Sequence, residues 1–295
     1  MIKRTLYFAN ECYLSTQKQQ LVVRYPDGRE TKSVPIEDIG VVLLDHYRLT
    51  LTATLLNKLL GNNVAVITCD AQHLPLGMFL NLNGHSLQQE HFARQIVVTQ
   101  AKKDRLWKQV IQAKISNQAA LLMEQGTAVL NMERWAKQVK NGDPNNLEAR
   151  AANYYWRHLF GDIKFTRERF GAAPNGLLNY GYTILRGIVA RALVGSGLLP
   201  TLGIHHHNKY NAYCLADDLM EPYRPYVDAV VVKLAENGVG ELTPQSKKEL
   251  LQIPVLDVSI NQQKSPLMLA VQQSAASLQQ CYAGQQKTIK LPQFV

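Results

Sequence analysis

The stretch SLQQEHFARQIVVTQAKKDRLWKQVIQAKISNQAALLMEQG, residues 86–126, decides the fold class. Apolar residues recur in it every three to four positions, which is the period of an amphipathic helix. The chain before it instead carries short apolar or alternating runs that favour β-strands. The sequence therefore predicts an α+β protein, with a small N-terminal β domain (1–88) followed by a larger all-helical domain (89–295).

Short segments of the N-terminal part are rich in β-forming residues. They are RTLYFA (4–9), ECYLST (11–16), QQLVVRYPDGRETKSVPI (19–36), DIGVVLLD (38–45) and NVAVITCD (63–70). The third segment is predicted to form two strands joined at Pro26-Asp27-Gly28, a tight-turn signal. Between the last two segments, LTLTATLLNKLLGNN (49–63) has helical spacing and stops at Gly61, a favourable C-cap residue.

Helical periodicity continues through the rest of the chain. Further helices are predicted at about 128–139, 146–160, 176–194, 211–236, 243–252 and 264–283. The breaker NGDP at 141–144 precedes the second of these. The last residues, KTIKLPQFV (287–295), are predicted to form a tail that docks on the body of the protein.

The composition indicates a buried core and a basic surface. Apolar residues make up 46% of the chain, and 32 Lys and Arg against 23 Asp and Glu give a formal charge of +9. Such an excess fits a polyanionic partner, with nucleic acid as the first candidate, although a merely basic surface is the alternative. Helical spacing predicts one basic face in 101–114, formed by Lys102, Lys103, Arg105, Lys108 and Lys114.

Cysteine spacing and hydropathy exclude several classes of protein. The four cysteines lie far apart without a CxxC pair, so neither a zinc knuckle nor a disulfide framework is indicated. The chain has no run of 18 apolar residues, and its start is too polar for a signal peptide. We expect a cytoplasmic protein that has no contact with a membrane.

Candidate metal ligands gather in GIHHHNKYNAYCLADDLMEPYRP, residues 203–225. Asp218 and Glu221 are three residues apart on a predicted helix and so share a face, and Asp217 and Glu221 are four apart. Two carboxylates and a nearby histidine suit Mg²⁺ or Mn²⁺. Spacing alone also fits a capped helix with a solvated acidic edge, and both interpretations stay open at this point.

A further carboxylate, Glu148, lies in the first turn of the predicted helix that begins near residue 146. An acid at this position is favourable simply because it faces the positive end of the helix dipole. Asn145 and Asn146 are candidates to cap that helix. Nothing in the local pattern by itself assigns Glu148 a functional role.

Three blocks together resemble the CRISPR-associated integrase family, the endonucleases that acquire new spacers. They are LEARAANYYW (147–156), NGLLNYGYTILRGIVARAL (175–193) and GIHHHNKYNAYCLADDLMEPYRPYVD (203–228). The third is most similar to members from type II systems, which use a single large effector nuclease. The resemblance covers essentially the whole chain and implies an N-terminal β domain that contributes to dimerisation, followed by a helical catalytic domain.

The resemblance also implies site residues. Its metal ligands correspond to Glu148, to His206 at the end of the G-x-x-H turn, and to an acid among Asp218 and Glu221. Many members have aspartate where this chain has Glu221, which leaves open whether Asp218 or Glu221 binds metal directly. His205 is the rival to His206. By the same resemblance, Lys209 suits a phosphate contact and Tyr180 is expected near the substrate strand.

The implied reaction is attack by a DNA 3′-hydroxyl on a phosphodiester of the CRISPR array, which inserts new spacer DNA. Mg²⁺ or Mn²⁺ would offset the charge of the phosphorane-like state. The implied partners are double-stranded DNA (prespacer and repeat array), a second copy in a homodimer, and the small second CRISPR-associated protein, which bridges two dimers. A metal-independent DNA-binding scaffold and a hydrolase of small phosphoesters are the weaker alternatives.

Overall fold

The computed structural model describes residues 3–161 and 165–294. It divides into two compact units, Met1–Ser86 and Leu87–Val295, close to the predicted boundary at residue 88. The predicted α+β class is confirmed, since strands dominate the first unit and helices the second.

Two sheets and one helix build the N-terminal unit. Its elements are β1 (Arg4–Phe8), β2 (Tyr13–Gln17), β3 (Gln20–Arg24), β4 (Lys32–Pro35), β5 (Ile39–Leu44), β6 (Thr50–Leu51), α1 (Ala53–Gly61), β7 (Ala65–Cys69) and β8 (Pro75–Phe79). One sheet has the order β1-β5-β7-β8 and the other β4-β3-β2-β6. The sequence patterns predicted six of these strands, whereas β6 and β8 are too short or too mixed to stand out.

The core of this unit explains why its strands are apolar. Every residue of β5 is buried, because β5 lies between parallel neighbours β1 and β7. Thr52 caps α1 by accepting a hydrogen bond from the Leu55 N–H, and α1 ends at Gly61 as predicted. Gly28 adopts φ +76° in the predicted turn, a conformation that glycine takes without strain.

Helices form most of the C-terminal unit. They are α2 (Gln88–Ile96), α3 (Gln100–Glu124), α4 (Leu130–Gln138), α5 (Leu147–His158), α6 (Asn175–Gly195), α7 (Cys214–Met220), α8 (Arg224–Glu236), α9 (Pro244–Leu250) and α10 (Leu267–Tyr282). The predicted helix at 211–236 is broken, because Pro222 and Pro225 lack the N–H groups that would continue it. Glu221 therefore lies in a short 3-10 turn, Glu221–Tyr223, between α7 and α8.

The C-terminal unit is not all-helical, which corrects the prediction. An antiparallel hairpin joins β9 (Asp257–Ile260) to β10 (Gln263–Pro266). Asn261 and Gln262 at its tip both have positive φ, as a two-residue hairpin turn requires. The helical pattern predicted from residue 264 hid this hairpin, since α10 begins at Leu267.

The last residues dock on the helical body, as expected. The Asn117 side chain donates to the Pro292 carbonyl (3.1 Å) and accepts from the Phe294 N–H (3.0 Å). The Ser274 hydroxyl donates to the Lys290 carbonyl at 2.5 Å. These contacts hold the tail against α3 and α10.

The predicted basic face on α3 is not a single surface. Lys114 is buried, and Lys102 Nζ donates to the carbonyls of Cys281 (3.2 Å) and Tyr282 (3.4 Å). Only part of this set thus remains for an outside partner. Of the helices in the described residues, none has both the length and the apolar character that a membrane span needs.

A buried carboxyl group lies between α5, α6 and α8. Asp228 is 1% exposed and accepts hydrogen bonds from the hydroxyls of Tyr155 (2.7 Å) and Tyr182 (2.5 Å). Burial raises the pKa of Asp228 to about 6, and the two tyrosines and two arginines only partly oppose this effect.

Asp228 should make stability depend on pH. The unfolded chain loses this proton near pH 3.8, whereas the folded protein keeps it to about pH 6. The folded state binds more protons between these values, so the contribution of Asp228 to stability falls as pH rises. We expect Asp228→Asn to gain stability relative to the wild type by up to about 3 kcal/mol between pH 4 and pH 7. Urea unfolding of both proteins across this range measures the difference, and a difference that stays flat would contradict the prediction.

Candidate active site

The turn before α7 is held by one buried carboxylate. Asp218 is fully buried and accepts hydrogen bonds from the backbone N–H groups of Ile204 (2.6 Å), His205 (2.9 Å) and His206 (3.2 Å). The carboxylate gathers these N–H groups because they would otherwise lie buried without an acceptor. The sequence G-x-x-H and the aspartate fourteen residues after Ile204 are thus one structural unit.

The His206 ring is fixed by the same carboxylate. Its Nδ1 lies 2.5 Å from Asp218 Oδ1, which leaves Nε2 as the nitrogen that can bind a ligand. This hydrogen bond raises the pKa of His206 despite partial burial, and the charges of Asp218, Glu221 and Glu148 act in the same direction. His206 is therefore within electrostatic reach of both glutamates.

The neighbouring histidines make different contacts. The His205 ring stacks on the buried ring of Trp107, with 4.3 Å between centroids, and the same indole meets His206 edge-on at 5.7 Å. His207 is exposed, and its Nδ1 lies 2.8 Å from the His205 carbonyl. These contacts favour His206 over His205 as the functional histidine, because only His206 is oriented by a carboxylate.

Gly203 allows the turn to close. A Cβ at this position would lie 2.2 Å from the His206 carbonyl oxygen and 2.9 Å from Asp218 Oδ2. Because the nearest atom is backbone, the turn itself would have to move. The glycine is therefore required by the close approach of the turn to its own carboxylate anchor.

We expect Gly203→Ala to lower the free energy of unfolding by about 1–3 kcal/mol, as overpacking of a tight site does. It should also shift the NMR resonances of the His206 ring, since the Asp218 contact is displaced. Gly61→Ala is the matched control, because nothing lies within 4 Å of its added Cβ. Equal stability of Gly203→Ala and the control would contradict this account.

Glu148 is placed by the start of α5. The Asp143 carboxylate accepts from the N–H groups of Leu147 (3.0 Å) and Glu148 (2.9 Å) and so caps the helix. Asn145 and Asn146 were the predicted caps, but the Asn146 side chain makes no capping bond. Asp143 replaces them because the residues at 143 and 146 both have positive φ, which turns the Asp143 side chain back over the helix start.

A lysine that the sequence analysis placed on the surface joins the two glutamates. Lys114 Nζ lies 2.6 Å from Glu148 Oε1 and 2.6 Å from Glu221 Oε2. Arg224 Nε lies 2.9 Å from the other Glu221 oxygen. Burial alone would raise the pKa of Glu221, but Arg224 and Lys114 outweigh it and lower that pKa to about 2.

Asp218 and Asp217 now have distinct structural roles. Since the Asp218 carboxylate is engaged by the turn and the His206 ring, we class it as a positioning residue instead of a catalytic one. Asp217 faces elsewhere, 2.6 Å from Arg186 Nε and 2.7 Å from Asn211 Nδ2. Glu221 is the acid that faces Glu148 across Lys114.

The two predicted substrate contacts differ in exposure. Lys209 is exposed, with its Nζ 4.9 Å from the Tyr210 ring centroid, and remains available to a phosphate. Tyr180 is fully buried in α6, with Lys247 Nζ 5.5 Å from its ring. The helical pattern around NYGY turns Tyr180 into the core, and its contact with a DNA strand stays a prediction.

The donor set fits a hard divalent cation in its chemistry. Two glutamates and one imidazole are ligands that Mg²⁺ and Mn²⁺ accept. Glu221 Oε2 is buried and lies 2.6 Å from the Lys114 ammonium group, so its negative charge is already compensated by a cation. No three His, Cys, Asp or Glu residues of the described chain are spaced to hold a metal, and Lys114 lies between Glu148 and Glu221.

The chain is similar to known proteins over most of its length. The family model described as CRISPR associated protein Cas1 matches residues 6–249. A CRISPR-associated endonuclease Cas1 of Neisseria meningitidis serogroup C (strain 8013) is 36% identical over 300 residues, which cover 100% of this chain and 97% of that protein.

Solved structures share the fold at lower identity. A casposase bound to integration product has a TM-score of 0.77 and 20% identity, and the match covers 98% of this chain and 92% of that one. A Cas6-RT-Cas1–Cas2 complex has a TM-score of 0.74 and 20% identity, and the match covers 97% of this chain and 35% of that one. The structural matches show the shared fold, and the family model and the whole-chain identity show that the chain belongs to the Cas1 family of CRISPR-associated proteins.

Proposed function

We propose that this protein is a metal-dependent DNA endonuclease and integrase that inserts spacer DNA into a CRISPR array. One observation carries the proposal. Glu148 and Glu221 both contact the Lys114 ammonium group, and the His206 ring is held by Asp218. The similarity to the Neisseria protein, a CRISPR-associated endonuclease, supports the reaction class.

Glu148, Glu221 and His206 would hold Mg²⁺ or Mn²⁺, which would stabilise the charge that develops on the attacked phosphate. The chain's own residues prepare this site. Asp218 fixes the ring orientation of His206 and directs its Nε2 to the ligand role. Arg224 holds one oxygen of Glu221 and leaves the other facing Glu148 and Lys114.

A basic groove beside α5 supports DNA as the substrate. The groove has a volume of about 580 Å³ and is lined by Lys108, Lys137, Gln138, Val139, Lys140, Asn145, Leu147 and Arg150. Four of these residues are positively charged and none is acidic, which suits a run of backbone phosphates. Leu147 adjoins Glu148, so the groove runs beside the start of the catalytic helix.

The expected partners remain part of the proposal. A Cas6-RT-Cas1–Cas2 complex among the structural neighbours supports the small second protein as a partner, which would bridge two homodimers of this chain. A protein that acts on the CRISPR array would work in the cytoplasm. The scaffold alternative is weaker, because the structure retains both glutamates and a positioned histidine. The basic groove also favours DNA over a small phosphoester, because its four positive charges suit a run of backbone phosphates.

The test is strand transfer on a labelled branched DNA that mimics half-site integration. We expect joined product with Mn²⁺ or Mg²⁺, none with EDTA, and none with His206→Ala. His207→Ala, which alters an exposed neighbour, is the matched control and should stay active. Strand transfer that persists in EDTA, or that survives in His206→Ala, would refute the proposal. Wild-type protein that binds DNA without joining it, even with the small partner added, would favour the scaffold.

A further inference from the structure

Lys114 is an unusual residue for a candidate metal site. Its side chain is only 10% exposed, and its ammonium lies 2.6 Å from one oxygen of each glutamate. Burying a lysine costs stability unless a carboxylate compensates, and here two do. The residue is therefore built into the site and is not part of the solvated surface.

Lys114 compensates the negative charges of Glu148 and Glu221. Without it, Glu148 and the buried Glu221 would be neighbouring carboxylates with Arg224 as the remaining close cation. Like charges this close disfavour each other's ionised form. The Lys114 ammonium group contacts one oxygen of each glutamate and so offsets the repulsion between them.

The Lys114 ammonium group occupies the position between the two glutamates that a divalent cation would need. A divalent ion held by both glutamates would need the carboxylate oxygens that Lys114 contacts. These atoms are Glu148 Oε1 and Glu221 Oε2. A divalent cation on the same carboxylates would repel the ammonium group, so the two cations would compete for them.

We propose that Lys114 is an internal counter-cation, which holds Glu148 and Glu221 in place before metal binds and competes with the metal for both carboxylates. This inference rests on the proposed function, because it concerns the metal of that reaction. Lys114 is thus a positioning residue that sets the metal concentration at which the site fills. It also keeps the metal-free protein folded around two neighbouring acids.

The experiment compares Mn²⁺ binding and stability without any assay of DNA. Titration calorimetry on wild type and Lys114→Met should show a Kd for Mn²⁺ at least about tenfold tighter in the variant, because a nearby positive charge is gone. Thermal unfolding in EDTA should give a lower Tm for the variant than for wild type. Added Mn²⁺ should raise the Tm of the variant more than that of wild type.

Two further proteins keep the test decisive. Lys114→Arg retains the positive charge and should keep the weak affinity of wild type. Lys247→Met removes another buried lysine, on α9, and should leave Mn²⁺ affinity unchanged whatever it does to stability. If Lys114→Met does not fold with or without Mn²⁺, Lys114→Gln replaces it, since it removes the charge but keeps a polar group.

The outcomes separate this inference from the proposed function. Mn²⁺ binding by wild type that is equal or tighter than in both neutral variants would overturn the counter-cation role and leave the metal-dependent reaction standing. Absence of Mn²⁺ binding in all proteins would overturn both. Tighter binding in Lys247→Met as well would show a general effect of lost positive charge and would also overturn the inference.

Discussion

Glu148→Gln is expected to lower the rate of strand transfer by about 10³-fold or more. The substitution removes the charge of one of the two glutamates that contact Lys114, and it keeps the side-chain length. Loss of several kcal/mol of transition-state stabilisation from a bound metal corresponds to a rate loss of about this size. The measurement is single-turnover joining of a branched DNA in Mn²⁺.

Glu133→Gln is the matched control for this variant. Glu133 lies in the first turn of α4 as Glu148 lies in that of α5, so both variants remove a helix-start charge. DNA affinity, measured by fluorescence anisotropy, should be retained in both. A similar rate loss in Glu133→Gln would mean that helix stability and not the site is responsible, and near wild-type rates in Glu148→Gln would remove Glu148 from the site.

Asp218→Asn is expected to have the largest effect on stability, with a loss of about 3–5 kcal/mol in the free energy of unfolding. The two carboxylate oxygens accept from three backbone N–H groups and lie against the His206 ring. An amide offers only one accepting atom, so at least one buried N–H group would meet the NH₂ of the new side chain. Urea unfolding measures the loss.

A second effect of this variant follows from the orientation of His206. Without the carboxylate, Mn²⁺ affinity should fall by about 10- to 100-fold, as loss of an outer-shell partner typically causes. Asp217→Asn is the control, because Asp217 is on the same helix but pairs with Arg186 and Asn211. Asp217→Asn should lose less stability and keep its Mn²⁺ affinity. Identical behaviour of the two variants would contradict the separate roles assigned to these neighbours.

Local sequence patterns were most informative where one element supplies its own signals. The buried strand β5 and the end of α1 at Gly61 were predicted from residues within a few positions of each other. The proline break between α7 and α8 was missed, although Pro222 and Pro225 are local signals as well. The hairpin β9–β10 was missed because its few residues adjoin a strong helical pattern. The cap of α5 was misplaced because it depends on positive φ at two positions, which a sequence does not display.

The candidate site shows the same division. Asp218, Glu221 and the histidines are close in the chain, so spacing marked them, and the family resemblance added Glu148 from a distant block. The partnership of His206 with Asp218 and the core position of Tyr180 required the tertiary structure. The contact and the burial both depend on the direction in which a helix face points after packing. The identity of a single residue does not determine that direction.

The sequence by itself determined the α+β class, the order of most elements and the residue types of a metal-dependent site. Only the tertiary structure decided that Lys114 joins Glu148 to Glu221, and that Trp107 packs beneath the histidine turn. Both residues come from α3, far along the chain from their partners. On α3 alone, Lys114 continues a row of basic residues and is predicted to be solvated. Packing reverses this, because two carboxylates from other elements offset the cost of burying its charge.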